Sequence, residues 1–306
     1  MLTNSLIICT KDRLDDLRRT IESIRSQSLR PNELIIVDAT VGDETARFIK
    51  ELEDEIEFTL RYYHSTPGLT LQRNAGIKYA KGDLIHFLDD DVDLENDYLK
   101  SICEVFANDS SKNIGGAGGL LTNITPSNSF AALFRRIFFL VRVDGEGKMQ
   151  KSGFPAFQWV KNRSRISETE ILCGLCCYRR NIFDSFSFDE GLSQYGLMED
   201  VDFSFRVSKV HKLIYTPFAR VFHRETPKDR IGIGRYFDMK MYNHFYLYRK
   251  NIPISPWTLF LFLWSNVGVF FRALIVSLKK KSLFPIIGLL RGSARILSDC
   301  IGARKG

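Results

Sequence analysis

No Gly-x-Gly-x-x-Gly sequence follows the first apolar run of this chain, and its six cysteines supply no second pair at zinc-finger spacing. The first absence excludes a dinucleotide-dependent oxidoreductase, because Gly115-Gly116-Ala117-Gly118-Gly119 comes too late and lacks the spacing. The second leaves the Cys173, Cys176 and Cys177 cluster as small buried thiols in a reducing compartment, with Leu172, Leu175 and Tyr178 as core neighbours. No basic stretch followed by an apolar run opens the sequence, so no secretory signal is expected and the folded part should face the cytosol. Internal repeats and low-complexity tracts are missing as well.

What is present suits a large folded chain. At 306 residues it can bury a sizeable core as one large α/β domain or two smaller ones. Charged residues at 26% are an ordinary globular level, while the net charge of +7 points to an anionic partner. The basic residues are scattered or lie beside C-terminal apolar runs, so no salt-sensitive nucleic-acid binding is expected.

Residues 5 to about 122 alternate between strand and helix patterns. Leu6-Ile7-Ile8-Cys9 and Leu34-Ile35-Ile36-Val37 read as buried strands, and Leu14, Leu17, Ile21 and Ile24 recur at helical spacing between them. Phe48, Ile49 and Leu52 mark a second helix, Phe58 to Tyr63 a strand, Leu69 to Ala80 a helix, and Leu99, Ile102 and Phe106 a further one. Such alternation predicts a mainly parallel sheet covered by helices on both faces. From about 125 to 168 the periodicity fades and arginines and lysines accumulate among aromatics, as a solvated basic face or a lid over an anionic substrate.

Leu84 to Leu88 is an almost continuous apolar run that ends in Asp89-Asp90-Asp91. Adjacent carboxylates at the end of a buried parallel strand repel one another unless a cation compensates them, and ligands of open parallel sheets bind beyond those strand ends. Asp38 closes the second strand and should reach the same edge. A carboxylate there can accept a base N–H, the acids at 89–91 can hold a ribose hydroxyl and a metal, and Arg73 at the next helix can meet a phosphate. A second acidic run, Glu199-Asp200-Val201-Asp202, sits where a helix start would favour acids in any case, but also offers a general base distinct from the metal ligands.

Ile-Ile-Val-Asp ending at Asp38, Gly-Leu-Thr-Leu-Gln-Arg-Asn-Ala-Gly at 68–76, Phe-Leu-Asp-Asp-Asp at 87–91 and Glu-Asp-Val-Asp-Phe at 199–203 together resemble the family-2 inverting glycosyltransferases of the GT-A fold. The resemblance covers roughly residues 4–225 and implies a Rossmann-like, mixed but mainly parallel sheet flanked by helices. It implies a nucleotide-sugar site with Thr10 and Asp38 at the base, Arg73 near the diphosphate, and Asp89 toward ribose and metal. Asp91 and His223 would complete a site for Mn²⁺ or Mg²⁺, Asp200 would be the catalytic base, and Gly174 and Glu199 would lie toward the acceptor. The implied reaction moves a sugar, from a UDP-sugar most readily, to a saccharide or lipid-linked saccharide. Relatives often follow Asp38 with Asp or Asn, whereas Ala39-Thr40 stand here, which leaves the choice of nucleotide open. The competing readings are a nucleotidyltransferase, whose glycine- and basic-rich loop is replaced here by Cys-Thr-Lys-Asp-Arg-Leu, and a non-catalytic nucleotide-sugar-binding protein at a membrane.

The C-terminal part changes character. Trp257 to Leu278 is nearly all apolar, interrupted by Asn266 and Arg272 and followed by Lys279-Lys280-Lys281. Its length suits a bilayer, but Arg272 inside it argues against a simple span. Leu283 to Ile301 has an amphipathic pattern. Residues 257–301 are therefore expected at the surface of a membrane, on its cytoplasmic face. The sequence divides into a GT-A domain over 1–230, with a nucleotide-binding half at 1–122 and an acceptor half at 123–230, and a helical membrane-associating region over 231–306.

Overall fold

The structure, a computed structural model, describes residues 2–192, 195–225 and 231–302. Contacts group the chain into two compact units, Met1–Thr125 with Gln158–Asp229, and Pro126–Phe157 with Arg230–Gly306.

The first unit begins with Asn4–Thr10 (β1), Leu14–Arg25 (α1), Glu33–Asp38 (β2), Glu44–Leu52 (α2), Thr59–His64 (β3), Leu69–Tyr79 (α3), Leu84–Leu88 (β4), Val92–Leu94 (β5), Tyr98–Ala107 (α4) and Ile114–Leu121 (β6). Strands β3, β2, β1 and β4 lie in that order and pair in parallel. Leu34 to Val37 and Leu84 have no exposed surface, as continuous apolar runs in a two-sided parallel sheet require. Each such side chain contributes about 1.5–3 kcal/mol on burial. Helix α1 buries Leu17, Ile21 and Ile24, and α2 buries Phe48, Ile49 and Leu52, the faces that helical spacing predicts.

The chain then enters the second unit as Ser129–Ile137 (α5) and a ribbon of Lys148–Met149 (β7) with Pro155–Ala156 (β8). It returns to the first unit as Ser167–Thr169 (β9), Cys176–Arg179 (β10), Glu199–Ser208 (α6) and Lys212–His223 (β11). The sheet order is β3-β2-β1-β4-β10-β6-β11-β5, with β9 on β11. Strand β10 runs antiparallel between β4 and β6, and β11 is parallel to β6 but antiparallel to β5. The sheet is thus mixed and mainly parallel toward β3, the GT-A arrangement.

The second unit ends with Ile233–Asn251 (α7), Pro256–Lys280 (α8) and Phe284–Gly302 (α9). Ser255 opens α8 through a capping box with Thr258. Helices α7 and α9 approach closely, because a Cβ on Gly292 would lie 2.6 Å from the Asp238 carbonyl oxygen. Helix α5 places Phe130, Leu133, Phe134 and Ile137 at helical spacing, a stripe that the sequence reading of 125–168 passed over. Residues 126–157, which the sequence reading leaves inside the 123–230 half, group with the C-terminal helices. Phe138 stacks on Trp264 with centroids 5.0 Å apart, Trp264 Nε1 donates to the Ile137 carbonyl at 2.8 Å, and Phe154 stacks on His244 at 3.7 Å. Aromatic residues scattered across 134–157 therefore find their partners in α7 and α8, a long-range pairing that sequence periodicity does not register.

Candidate active site

Because β2 and β4 flank β1 in parallel, Asp38 and the 89–91 acids reach one edge of the sheet. Arg13, at the start of α1, bridges two of those acids: Nη1 meets Asp90 Oδ1 at 2.8 Å and Nη2 meets Asp91 Oδ2 at 2.7 Å. Thr10 Oγ1 donates to Asp90 Oδ2 at 2.7 Å. Burial pushes the Asp90 carboxyl up to about 7, although Arg13 and Thr10 pull it down. Burial acts in the same sense on Asp91, but there hydrogen bonds and charge from His223 and Arg13 win and hold the carboxyl below the ordinary range. The middle aspartate thus locks the end of β1 and the start of α1 to the acidic turn, while its neighbours face the site.

His223 arrives from the opposite end of the sequence. It is the last residue of β11, and the antiparallel pairing His223↔Val92 sets it beside Asp91. His223 Nε2 lies 2.8 Å from Asp91 Oδ1 and 3.9 Å from Asp89 Oδ2. Asp89, Asp91 and His223 each offer a ligand atom within 4.8 Å of the others, the one such group among the described residues. Two hard carboxylates with one imidazole suit Mn²⁺, and Mg²⁺ where further oxygens come from a diphosphate.

Asp38 is fully buried. Its Oδ1 accepts from Thr40 N at 2.9 Å and Thr40 Oγ1 at 2.6 Å, and Oδ2 accepts from Tyr62 OH at 3.1 Å. Burial first, then Asp38, raises the Tyr62 phenol to about 12, so it stays a donor. Thr40 also accepts from Asp12 N at 2.8 Å and so shapes the loop after β1. Gln72 donates from Nε2 to the Thr10 and Val37 carbonyls at 3.0 and 2.8 Å, which ties α3 to the ends of β1 and β2.

On the other side, Met198 takes a left-handed backbone (φ 74°) just before α6 and directs Glu199 and Asp200 into the first helical turn. Arg73 of α3 is buried beside them. Its Nη1 sits 2.8 Å from Glu199 Oε1 but off the hydrogen-bond axis, and its Nη2 lies 3.7 Å from Asp89 Oδ1. Phe87 and Phe188 pack against the guanidinium at 5.5 and 5.2 Å. A Cβ on Gly174 would come within 2.9 Å of Arg73 Nη2 and 3.6 Å of Asp89 Oδ1, so the backbone passes where a side chain would not fit. Burial and then the Asp200 charge raise the Glu199 carboxyl, against Arg73. Asp200 is raised too, by burial first and by Asp89, again against Arg73.

The structure therefore brings Asp89, Asp91 and His223 together and sets Arg73 and Gly174 next to Asp89, with Glu199 beside Arg73 and Asp200 within electrostatic reach. Asp38 lies farther along the same edge among Thr40 and Tyr62. Thr10 reaches the site through Asp90, its hydroxyl being engaged inside the protein. Sequence reasoning missed Arg13, Gln72, Thr40 and Tyr62 as site-forming residues. Arg13 carried one readable signal, a cation placed directly after the first strand in a chain with a triple acid.

Residues 5–119 match the profile "Glycosyl transferase family 2". A glucosyl-dolichyl phosphate glucuronosyltransferase of Haloferax volcanii is 26% identical over 106 residues, 34% of each chain. Among solved structures, the mannosyltransferase PcManGT of Pyrobaculum calidifontis in complex with GDP-Man and Mn²⁺ is similar over 97% of this chain and 88% of its own, with a TM-score of 0.61 and 12% identity. GalNAc-T7 with UDP, GalNAc and Mn²⁺ is similar over 79% of this chain and 48% of its own, with a TM-score of 0.58 and 17% identity. The chain spans about a quarter to a third of the length of the curated relatives it matches.

Proposed function

We propose that this chain, whose residues 5–119 match the profile of glycosyl transferase family 2, moves a sugar from a nucleotide-diphosphate sugar to a hydroxyl of a saccharide or lipid-linked saccharide, with inversion at the anomeric carbon. The observation that carries this is the convergence of Asp89, Asp91 and His223 on one point, with Arg73 and the Glu199–Asp200 pair beside it. In this reading the donor and the acceptor machinery of a glycosyl transfer would lie together at one edge of the sheet.

Asp89, Asp91 and His223 would hold Mn²⁺ or Mg²⁺, which when bound neutralises charge on the departing diphosphate. Asp38 and Tyr62 would face the base, and Asp89 the ribose. A UDP-sugar is the favoured donor; the two solved neighbours carry UDP and GDP-Man respectively. Arg73 orients the site, since one guanidinium spans Asp89 on the donor side and Glu199 on the acceptor side. Asp200 takes the proton of the acceptor hydroxyl as its oxygen forms the bond to the anomeric carbon. The bond from that carbon to the diphosphate oxygen breaks on the opposite face. The raised affinity of Asp200 for a proton is what a general base needs.

The second unit would rest on the cytoplasmic face of a membrane. Helix α8 is long and apolar enough to cross a bilayer by length and composition, with a mean hydropathy of 2.0. Yet Trp257, Phe260, Leu263, Phe270 and Leu278 are exposed along it, Arg272 interrupts it, and Lys279–Lys281 follow. A helix lying at the headgroup level satisfies all of these together.

Replacing Asp200 with Asn tests the assignment. Transfer should fall by about 10²–10⁴-fold, while donor affinity, measured by calorimetry with Mn²⁺, stays within about twofold. Retained turnover would refute the role of Asp200.

A further inference from the structure

His223 ends its strand at a place where strands fray. Strand β11 shifts register between Tyr215 and Arg220, and its last three residues pair with β5, a three-residue strand that closes the sheet order. The backbone then turns at Glu225, which takes a left-handed conformation (φ 52°). Chain ends of this kind open locally at little cost. A metal ligand that moved with such an end would bind poorly, because the ion needs its ligand atoms in fixed places.

Two side chains fasten this end. Asn123, just past β6, holds both polar groups of the His223 backbone: His223 N donates to Asn123 Oδ1 at 3.3 Å, and Asn123 Nδ2 donates to the His223 carbonyl at 2.7 Å. Arg224 extends the pairing, its backbone N donating to the Asp91 carbonyl at 2.9 Å. Its guanidinium then crosses to α1. Nη2 donates to the Asp16 carbonyl and to Thr20 Oγ1, both at 3.0 Å, and Nη1 pairs with Asp93. Thr20 is fully buried and carries the contact onward, since its hydroxyl donates to the Asp90 carbonyl at 2.8 Å and accepts from Val92 N at 3.1 Å. One guanidinium thus joins α1, the acidic turn and the end of β11, which its planar fork of donors allows and a single ammonium would not. Helix α1 braces both partners, because Arg13 at its start holds the Asp91 carboxylate.

We propose that Arg224 and Asn123 are positioning residues for His223, setting its imidazole against Asp91 and so preparing the pair to hold a divalent cation. This deepens the reading of Asp89, Asp91 and His223 as a metal site and rests on it. Both residues act through the backbone around His223 and leave Nε2 facing Asp91 Oδ1 at 2.8 Å.

The test uses the full chain with Mn²⁺ alone and no nucleotide. Electron paramagnetic resonance of free Mn²⁺ gives the affinity, and modulation of the electron spin echo shows whether an imidazole nitrogen is bound to the ion. Arg224→Met and Asn123→Ala should each weaken Mn²⁺ binding about ten- to hundredfold and reduce the nitrogen modulation, and Arg224→Lys should restore part of both. Arg179→Met is the control for stability. Its guanidinium pairs with Asp109 at 3.1 Å, and Arg179 itself lies opposite Leu84, at the other end of β4 from Asp89. It should lower Tm and leave both metal readouts unchanged; an equal loss of affinity in this control would overturn the inference. Asn123 is partly exposed, so its variant carries the test if Arg224→Met does not fold. If His223→Ala weakens Mn²⁺ and removes the modulation while Arg224→Met and Asn123→Ala match the natural chain, the positioning role is refuted and the metal reading stands. If the natural chain shows no nitrogen modulation, or His223→Ala binds Mn²⁺ equally well, the ligand assignment falls and this inference with it.

Discussion

Asp91→Asn separates two accounts of the triple acid. If the three aspartates are mutually repulsive and wait for a cation, removing one charge should stabilise the metal-free protein. The structure argues for the opposite sign. Asp91 is 1% exposed, accepts from Arg13 Nη2 at 2.7 Å and lies 2.8 Å from His223 Nε2. Asparagine keeps the shape but loses the charge-assisted bonds, each worth about 1.5–3 kcal/mol. Arg13 keeps Asp90 at 2.8 Å and Asp16 at 3.4 Å, so the loss should stay below the 3–5 kcal/mol or so of a fully broken buried pair. The expected cost is about 1.5–3 kcal/mol, or about 3–12 °C in Tm for a unit of this size. Differential scanning calorimetry in EDTA reads the first unit, and a repeat with Mn²⁺ reads the metal. The natural chain should gain Tm with Mn²⁺ and the variant should gain little or nothing. An unchanged or higher Tm for Asp91→Asn in EDTA would refute the clamp of Arg13 and His223 and leave simple repulsion in its place.

Other expectations follow from the same geometry. His86 is buried on β4 with Nε2 3.0 Å from Asn4 Oδ1, and burial lowers its imidazole to about 3. A folded value below the unfolded one means that its stabilising share is complete above about pH 6.5 and declines as pH falls toward 3, by up to about 1.4 kcal/mol per pH unit. Urea denaturation from pH 7 to pH 4.5 should show a shallower loss for His86→Gln, and an identical slope would contradict a neutral buried imidazole. Gly174→Ala puts a methyl 2.9 Å from Arg73 Nη2; it should reduce kcat well beyond any change in Tm, because it moves the cation that spans the donor and acceptor acids. Equal kinetics in steady-state assays would show that Arg73 does not orient the site.

Much of this architecture is legible in the sequence. Apolar runs that stop at Asp38 and Asp89 mark buried parallel strands and their functional ends, since hydrophobic periodicity is local and survives in one dimension. The Glu199-Asp200 pair could be read only as a helix start with a choice of roles, and His223 only through the resemblance, because nothing in Val-Phe-His-Arg itself points to Asp91. Gln72 is invisible in the sequence, and Arg13 shows no more than its place after the first strand, for a related reason: a charged residue opening a helix and an amide inside one look solvent-facing until their partners are known.

The sequence by itself determined the strands β1 to β4 and the helices α1 to α4, the edge where the acids gather and the apolar character of α8. Only the tertiary structure decided that Asp90 is a brace fixed by Thr10 and Arg13 and that the end of β11 sets His223 against Asp91. The reason is physical. Apolar burial repeats along the chain with the period of its secondary structure, whereas a charge finds its meaning in what stands within a few ångströms of it, and such neighbours can be as remote in sequence as His223 and Asp91, 132 residues apart.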